Sequence, residues 1–238
     1  MKPVGPIPPG FETIDGELAI AGRRASEWVA EAGRTPLFVY SRALINRRVA
    51  ELRAALPARV EVNFAVKANP HPAVIAHIAG LVDGFDVASE GELKLCVEAG
   101  IDPKRISFAG PGKRDEELEA AIAASVTLNC ESEGEAARAL AIGQRLGNTP
   151  RIAVRVNPSF VMTGSGMKMG GGAKQFGVDA ERVPTLAKHL IAEGAEWRGL
   201  HIFTGSQTLG AEAIIEAQTN VLALAAELAE AIGTHLPK

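Results

Sequence analysis

The sequence predicts an α/β fold in which parallel strands alternate with helices, and it favours a β/α barrel over an open sheet. Short runs rich in β-branched residues alternate along the chain with longer Ala-, Leu- and Glu-rich segments of helical period. Two of these runs are followed at once by a Ser-x-x-Glu capping box, as expected where a crossover helix begins. No G-x-G-x-x-G fingerprint follows the first run, although an open doubly wound sheet usually carries one there.

The strand candidates recur at a nearly constant spacing. They are Val60–Val66, Gly84–Ala88, Ile106–Ala109, Val126–Asn129, Ile152–Val156 and Leu200–Thr204. Their marker residues Val62, Gly84, Ile106, Val126, Ile152 and Leu200 lie 22, 22, 20, 26 and 48 residues apart. A strand, a crossover helix and two short loops occupy about 20 to 26 residues. The last interval also contains an extra loop, Pro158–Phe176, before a helix near Val183–Glu193. Because a closed barrel of this type needs eight units, six predict an incomplete barrel.

Helix boundaries support the same division. The capping boxes are Ser89-Glu-Gly-Glu92 and Ser132-Glu-Gly-Glu135, and the glycines Gly100 and Gly147 are placed to end the helices that follow. The stretch from Ala211 to Ile232 is typical of an amphipathic helix.

The first 59 residues do not follow the repeat. Pro36-Leu-Phe-Val-Tyr-Ser41 predicts an extra strand, and Ser41 predicts the N-cap of a helix that runs to about Leu56.

Composition excludes several classes of protein. The chain has 238 residues, 47% of them hydrophobic, and a formal net charge of −3, so it is not a disordered chain. A pI near 6.0 without a basic stripe gives no electrostatic footprint for nucleic acid. We find no signal peptide and no apolar run long enough to span a membrane, and no metal-ligand spacing. The two cysteines, Cys96 and Cys130, indicate a reducing cytoplasm, and we expect both to be small core residues.

Lys67 is the first candidate for chemistry. It ends the run Val62-Asn-Phe-Ala-Val-Lys67, and reactive groups of β/α barrels lie at the carboxyl ends of strands. A lysine there, flanked by apolar wall, is expected to be partly desolvated, which eases deprotonation and Schiff-base chemistry. The alternative is a lysine that marks the end of a strand and points to solvent.

Five blocks of sequence resemble the diaminopimelate/ornithine decarboxylase family, whose members are fold type III enzymes that use pyridoxal 5'-phosphate (PLP). The first block, Phe64-Ala-Val-Lys-Ala-Asn69, resembles that family's PLP-lysine motif. The other matching segments are Gly84-Phe-Asp-Val-Ala-Ser-Glu-Gly-Glu-Leu93, Ile106-Ser-Phe-Ala-Gly-Pro-Gly-Lys113, Arg151-Ile-Ala-Val-Arg-Val-Asn-Pro158 with Gln175-Phe-Gly177, and Gly199-Leu-His-Ile-Phe-Thr-Gly-Ser-Gln207. The resemblance covers roughly Thr35 to Leu209 and implies a TIM-type (β/α)8 barrel of the alanine racemase/ornithine decarboxylase kind. Details in Gly164–Gly172 and His201–Ser206 resemble the exosortase/exopolysaccharide-associated branch.

The resemblance implies roles for individual residues. Lys67 would form the Schiff base with PLP and later assist proton transfer. Asp86 and Arg155 would lie in the polar network around the cofactor, and an arginine inside an apolar strand needs a buried anionic partner or must reach the barrel mouth. Glu92 matches the same network, although its capping box also explains it.

The last block carries both a match and a departure. Ser206 would contact the cofactor phosphate, since a Gly-Ser turn after a strand supplies a hydroxyl and N–H groups to an anion. His201 keeps the first histidine of the family's Leu-His-x-His motif, whereas Phe203 replaces the histidine that stacks on the pyridine ring. Phenylalanine stacks as well, but it carries no hydrogen-bond donor and no charge. We expect Gly164–Gly172 to form a lid, with Met167 and Met169 as possible substrate contacts.

The function implied is PLP-dependent decarboxylation of an amino acid. The substrate would be diaminopimelate, lysine or ornithine, or an aminoacyl group on a carrier protein. One alternative is an amino-acid racemase on the same barrel, disfavoured because Asn69-Pro-His-Pro72 replaces the usual racemase continuation. A second alternative is a non-catalytic fragment or binding module.

The resemblance also implies that much of the enzyme lies beyond Lys238. We expect residues 1–35 to join a missing C-terminal β-domain and residues 36–238 to form the incomplete PLP-binding barrel. Family members are generally homodimers that share their active sites, so we expect the chain alone to bind PLP poorly.

Overall fold

The computed structural model describes residues 10–160, 167–168, 175–206 and 210–237, with the backbone alone at 167, 168 and 206. Contacts divide the chain into two compact units. Unit 1 comprises Met1–Val62 and His77–Val82, and unit 2 comprises Asn63–Ala76 and Asp83–Lys238. The predicted boundary after residue 35 stays a prediction.

Strands and helices alternate through unit 2. In chain order, the described strands are β1 (Glu12–Ile14), β2 (Glu17–Ile20), β3 (Arg23–Arg24), β4 (Asn63–Ala65), β5 (Gly84–Val87), β6 (Ile106–Phe108), β7 (Thr127–Cys130), β8 (Arg151–Asn157), β9 (Met167–Lys168), β10 (Val178–Asp179), β11 (Glu196–Ile202) and β12 (Gly205–Ser206). The helices are α1 (Ala25–Ala32), α2 (Arg42–Ala55), α3 (Pro72–Ile78), α4 (Glu90–Glu98), α5 (Asp115–Ala123), α6 (Glu133–Leu146), α7 (Val183–Ala192) and α8 (Ala211–Ile232). Short 3-10 turns cover Val66–Ala68 and Pro103–Arg105. Within the described residues, no helix is long and apolar enough to cross a bilayer.

Unit 1 begins with an antiparallel meander of β1, β2 and β3. The indole of Trp28 on α1 donates a hydrogen bond to the Ile20 carbonyl at 3.0 Å. The Arg23 guanidinium lies over the same ring, 3.9 Å from its centroid. These contacts attach α1 to the meander, in which Ala19 is buried.

The strand predicted at Pro36–Ser41 is wrong. None of the described strands pairs with this segment, and Phe38 is 81% exposed. Aromatic and β-branched residues indicate that a strand is favourable, but a strand forms only where its backbone groups find a partner. Ser41 does cap the helix that follows, because its hydroxyl accepts a hydrogen bond from the Leu44 amide.

Unit 2 contains a parallel sheet whose six main strands follow one another in chain order. β4, β5, β6, β7 and β8 are successive neighbours, and β11 pairs along β8 from Arg151 to Val156. The short strand β10 also pairs with β8, at Val156 and Asn157. Six sequential βα units confirm the predicted incomplete barrel.

The predicted strands agree with the structure within a few residues at their ends. The largest difference is the last one, which spans Glu196–Ile202 where Leu200–Thr204 is predicted. Its first residues include the charged side chains of Glu196 and Arg198, so the apolar run used for the prediction begins four residues after the strand does. Helices α7 and α8 lie where the sequence places them.

Both predicted capping boxes are confirmed, with one difference in geometry. Ser89 and Ser132 accept hydrogen bonds from the backbone three residues later. The glutamate of each box reaches one residue further back than the serine, to the Ala88 amide at 2.7 Å in α4 and to the Glu131 amide at 3.0 Å in α6. The predicted glycines follow both helices with positive φ, +75° at Gly100 and +68° at Gly147.

The core of unit 2 lies on both faces of the sheet. All seven residues of β8 are buried. The largest buried side chains of the unit include those of Phe85, Phe108, Leu118, Ile122, Leu128, Ile152 and Leu190. Since side chains alternate along a strand, Arg155 points away from the face occupied by Val154 and Val156. One face of β8 therefore carries the polar side chain of Arg155, and the opposite face carries the apolar side chains of Val154 and Val156.

Candidate active site

Lys67 lies in the 3-10 turn directly after β4, at the carboxyl end of that strand. The position agrees with the prediction, but the expected desolvation is wrong because the side chain is exposed. The physical reason is the place of β4 in the sheet. Among the described strands it has one neighbour, β5, so no second strand covers its free edge.

The Lys67 amine faces an aromatic ring. Its Nζ lies 5.7 Å from the centroid of Phe203, within the range in which an ammonium is attracted to the face of a ring. Phe203 follows β11, so the first and last of the six sequential strands bring these two residues together. The sequence predicts both residues at the cofactor, Lys67 as the Schiff-base lysine and Phe203 at the stacking position.

Asp86 is a half-buried carboxyl group on β5. The Ser107 hydroxyl on β6 donates a hydrogen bond to its Oδ1 at 2.8 Å. Burial raises the pKa of Asp86, and this effect exceeds the opposing hydrogen bond from Ser107 and the charges of Lys67 and Arg155. Asp86 is thus close enough to both predicted cations to feel their charge.

Arg155 on β8 is buried, and its predicted anionic partner is present. Its Nη1 donates to Glu131 Oε1 at 2.9 Å. On another side, the ring of Phe176 lies 4.7 Å from the guanidinium carbon. The pair lies at the carboxyl ends of β7 and β8. We call this end of the sheet, where the strands of a β/α barrel carry their reactive groups, the mouth of the sheet.

His201 on β11 is in register with Arg155 on β8. Burial, together with the nearby positive charges of Arg155, Lys113 and Lys67, lowers the pKa of its imidazole to about 4. Among the described residues, the buried Nδ1 atom has no hydrogen-bond partner. A buried ring nitrogen without a partner is uncommon, and it points to a polar group that binds there.

Three residues that are predicted to contact the cofactor or substrate are described only by their backbone or not at all. The side chains of Ser206 and Met167 and all of Met169 lie outside the described residues, so their predicted roles stay predictions. The backbone of Ser206 in β12 pairs with that of Met167 in β9. Glu92 lies near enough to Asp86 for its charge to act on that carboxyl, but its direct contact is the helix cap at Ala88.

Sequence reasoning misses the buried acid–base cluster beside these residues. Lys113 Nζ donates to Glu135 Oε1 at 2.6 Å, and both side chains are almost fully buried. Glu131, at the end of β7, is equally buried. A signal exists, because Glu131 immediately precedes a capping box and follows a buried strand, where a carboxylate is not needed to cap the helix.

Both cysteines are buried, as predicted for core residues. Burial raises the pKa of the Cys96 thiol to about 11. Burial, together with the charge of Glu135, also raises the pKa of the Cys130 thiol. Neither thiol is activated as a nucleophile, since activation requires a lowered pKa.

Comparison with known proteins decides the family. The profile described as "Pyridoxal-dependent decarboxylase, pyridoxal binding domain" matches residues 42–237, which is most of the chain. The chain belongs to the pyridoxal-dependent decarboxylases. The matching region includes Lys67, Asp86, Arg155, His201 and Phe203.

Individual pyridoxal-dependent decarboxylases are similar over most of this chain. Diaminopimelate decarboxylase of Aquifex aeolicus is 38% identical over 91% of the chain and 52% of its own length. The L-glutamyl-[BtrI acyl-carrier protein] decarboxylase of Niallia circulans is 30% identical over 84% of the chain and 47% of its own length. A variant of Helicobacter pylori diaminopimelate decarboxylase, solved with L-lysine, superposes with a TM-score of 0.80 at 31% identity, covering 89% of this chain and 54% of that one. The chain spans about half the length of these relatives.

The residues present fit PLP, the cofactor of this decarboxylase family. Lys67 offers an accessible amine, and the ring of Phe203 offers an apolar face close to it. The unpartnered Nδ1 of His201 and the buried guanidinium of Arg155 offer polar groups at the same mouth. Together these groups can hold an aromatic ring and an anionic group.

Proposed function

We propose that the full-length protein decarboxylates an amino acid at the PLP site described above, with Lys67 as the lysine that binds the cofactor. The observation that carries the proposal is the meeting of the Lys67 amine, the Phe203 ring and the charges of Asp86 and Arg155 at the carboxyl ends of the strands. Reactive groups in β/α barrels occupy this edge. The membership of the chain in a decarboxylase family supports the same reaction.

Each residue has a separate task in this proposal. Lys67 would hold the cofactor through its Nζ and, once released, carry a proton at that atom. Phe203 would cover one face of the bound ring and exclude water from it, without donating a hydrogen bond. Arg155, His201 and Ser206 would hold polar groups of the cofactor. When bound, PLP supplies an electron-accepting ring that takes up the electron pair left by the departing CO2.

Covalent trapping tests the role of Lys67. Borohydride reduction of the full-length protein with PLP, followed by peptide mapping, should label Lys67, because only an amine bonded to the cofactor is trapped. Lys67→Ala should lose the label and lower turnover about a hundredfold or more, as expected when a proton-transferring group is removed.

The matched control is Lys94→Ala, since Lys94 is an exposed lysine of α4 paired with Glu98 at 3.8 Å. That variant should keep both label and turnover. A label at another lysine, or no label in the full-length protein, would defeat the proposal.

Two classes of substrate are supported by the relatives. Several relatives are diaminopimelate decarboxylases, and one acts on an L-glutamyl group of an acyl-carrier protein. We propose either a free diamino acid or an aminoacyl group on a carrier protein. Release of CO2 from isotopically labelled diaminopimelate, lysine and ornithine, compared with glutamate attached to a carrier protein, separates the two.

The same assay tests the racemase alternative. With a single-enantiomer amino acid, a decarboxylase releases CO2 and an amine, whereas a racemase yields the opposite enantiomer without CO2. An inverted product would replace the proposed reaction.

The resemblance also supports a homodimer and an association with exopolysaccharide production, and the usage of cysteine supports a cytoplasmic location. The dimer is part of the proposal because family members share their active sites between subunits. Sedimentation of the full-length protein should give twice the mass of the chain, and a monomeric mass at assay concentrations with full activity would contradict it.

A further inference from the structure

Glu131 connects three separate segments at the mouth of the sheet. Its Oε1 accepts a hydrogen bond from the Gly110 amide at 2.6 Å and one from Arg155 at 2.9 Å. Its Oε2 accepts from the Gly177 amide at 3.2 Å. One buried carboxylate at the end of β7 thus ties together the turn after β6, the strand β8 and the turn before β10.

The two glycine turns are shaped for this contact. Gly177 has a φ of +76°, and a Cβ there would lie 2.9 Å from the Arg155 carbonyl oxygen, closer than packing allows. Gly110 has a φ of +140°, which side-chain-bearing residues also rarely adopt. Both backbones therefore reach the carboxylate of Glu131 at positions where only glycine fits easily.

A second buried ion pair, between Lys113 and Glu135, holds the backbone of Glu131 in place. The Glu131 amide donates to Glu135 Oε2 at 3.0 Å, and Glu135 Oε1 in turn accepts from Lys113 at 2.6 Å. Lys113 also donates to the carbonyls of Gly110 and Asn129, at 2.8 and 2.9 Å. The backbone on both sides of Glu131 is held, so its side chain has little freedom to follow a movement of Arg155.

Arg155 is consequently clamped between a carboxylate and a ring. Glu131 binds Nη1, and Phe176 lies 4.7 Å from the guanidinium carbon. A guanidinium carries five N–H donors in a rigid plane, so fixing that plane fixes where the other donors point. Arg155 lies near enough to Asp86 and His201 for its charge to act on both, at the mouth where the cofactor is proposed to bind.

We propose that Glu131 is a positioning residue that holds the Arg155 guanidinium in the orientation needed to bind PLP. It does not touch the cofactor and acts through Arg155. The proposal rests on the proposed function, because it needs Arg155 to face the cofactor.

A double-mutant cycle in the full-length protein tests this role. The dissociation constant for PLP is measured by absorbance for the wild type, Glu131→Gln, Arg155→Met and the double variant. Glu131→Gln should raise the constant about tenfold or more, the range lost when an outer partner of a site residue is removed. The double variant should bind no more weakly than Arg155→Met alone, because the two residues act as one unit.

Two further variants keep the test decisive if Glu131→Gln fails to fold. Glu131→Asp keeps the charge and should restore most of the affinity. Phe176→Leu leaves the buried ion pair intact and frees the other side of the guanidinium, so it should raise the constant severalfold, again without effect in the Arg155→Met background. The control is Glu133→Gln, which changes a half-exposed glutamate of the same helix start that pairs with Arg182 and should match the wild type.

The outcomes separate the two proposals. Additive effects of Glu131→Gln and Arg155→Met, or wild-type affinity in Glu131→Gln, would overturn the positioning role while leaving labelling of Lys67 intact. Absence of borohydride label in the wild-type protein would instead overturn the proposed function.

Discussion

At the scale of single residues, unit 2 contains two buried ion pairs. Lys113 pairs with Glu135, and Arg155 pairs with Glu131, each with both side chains at most 9% exposed. Such pairs add little net stability compared with apolar packing, but removing one partner leaves an uncompensated buried charge and is costly. Their value here is geometric, because they fix side chains at the ends of three neighbouring strands.

His201 makes stability depend on pH. Its pKa is lowered from 6.5 to about 4 in the folded protein, chiefly by burial. At a pH between the two pKa values, His201 binds a proton in the unfolded chain but not in the folded chain. The free energy of unfolding therefore falls as the pH drops from the unfolded pKa towards the folded pKa. From about pH 7 to about pH 5.5, we expect His201 to account for a loss of about 1 kcal/mol.

Urea unfolding at the two pH values measures this loss. His201→Asn should lose about 1 kcal/mol less than the wild type over the interval, since asparagine does not titrate. His189→Asn, which removes an exposed histidine of α7, should lose as much as the wild type. Equal losses in all three proteins would show that His201 is not buried as a neutral ring.

At the scale of elements, α6 contains two glycines with opposite surroundings. A Cβ at Gly143 would lie 2.8 Å from both the Asn148 carbonyl oxygen and the Pro150 Cδ, whereas a Cβ at Gly134 would meet nothing within 4 Å. Both positions are helical, so intrinsic helix propensity favours alanine at each. Only the packing of the chain that follows the helix distinguishes them.

Opposite effects on stability are therefore expected from the same substitution. Gly143→Ala should lower the free energy of unfolding by about 1 to 3 kcal/mol, because the methyl group forces backbone and proline to shift. Gly134→Ala should raise it by up to about 1 kcal/mol, since it reduces the freedom of the unfolded chain. Chemical denaturation of the two variants checks this, and stabilisation by both would contradict the close packing at Gly143.

At the scale of the molecule, the described strands of unit 2 form a sheet with a well-protected centre at β8 and an edge strand at β4. β8 pairs with β7 on one flank and β11 on another, and all of its residues are buried. β4 pairs with β5 and with no other described strand. Because an edge strand opens without breaking the ladder beyond it, local stability should fall from the centre to this edge.

Amide hydrogen exchange gives the test. Exchange should be slowest in β7 and β8 and faster in β4. The matched comparison is β6, which has three residues like β4 but pairs on both sides, and it should exchange more slowly. Equal protection of β4 and β6 in this chain would mean that the free edge is covered in solution.

Local patterns were enough to predict most elements. The spacing of the apolar runs, the serines Ser89 and Ser132 and the glycines after their helices locate the βα units to within a few residues. These features act over one helix or one strand, so their physical cause is contained in the local sequence. The segment Pro36–Ser41 is the exception, because its strand propensity has no described pairing partner to act on.

The contacts of the site depend on distant parts of the chain. Glu131 meets Arg155 24 residues later and Gly177 46 residues later, and no local pattern predicts which carboxylate an arginine will find. The local sequence determines that polar residues end the strands at nearly regular intervals. The tertiary structure decides which of them touch, because the parallel sheet sets the depth and rotation at which neighbouring strand ends meet. It also leaves Lys67 directly after β4, which is an edge strand among the described strands, so the expected desolvation is lost although the position is as predicted.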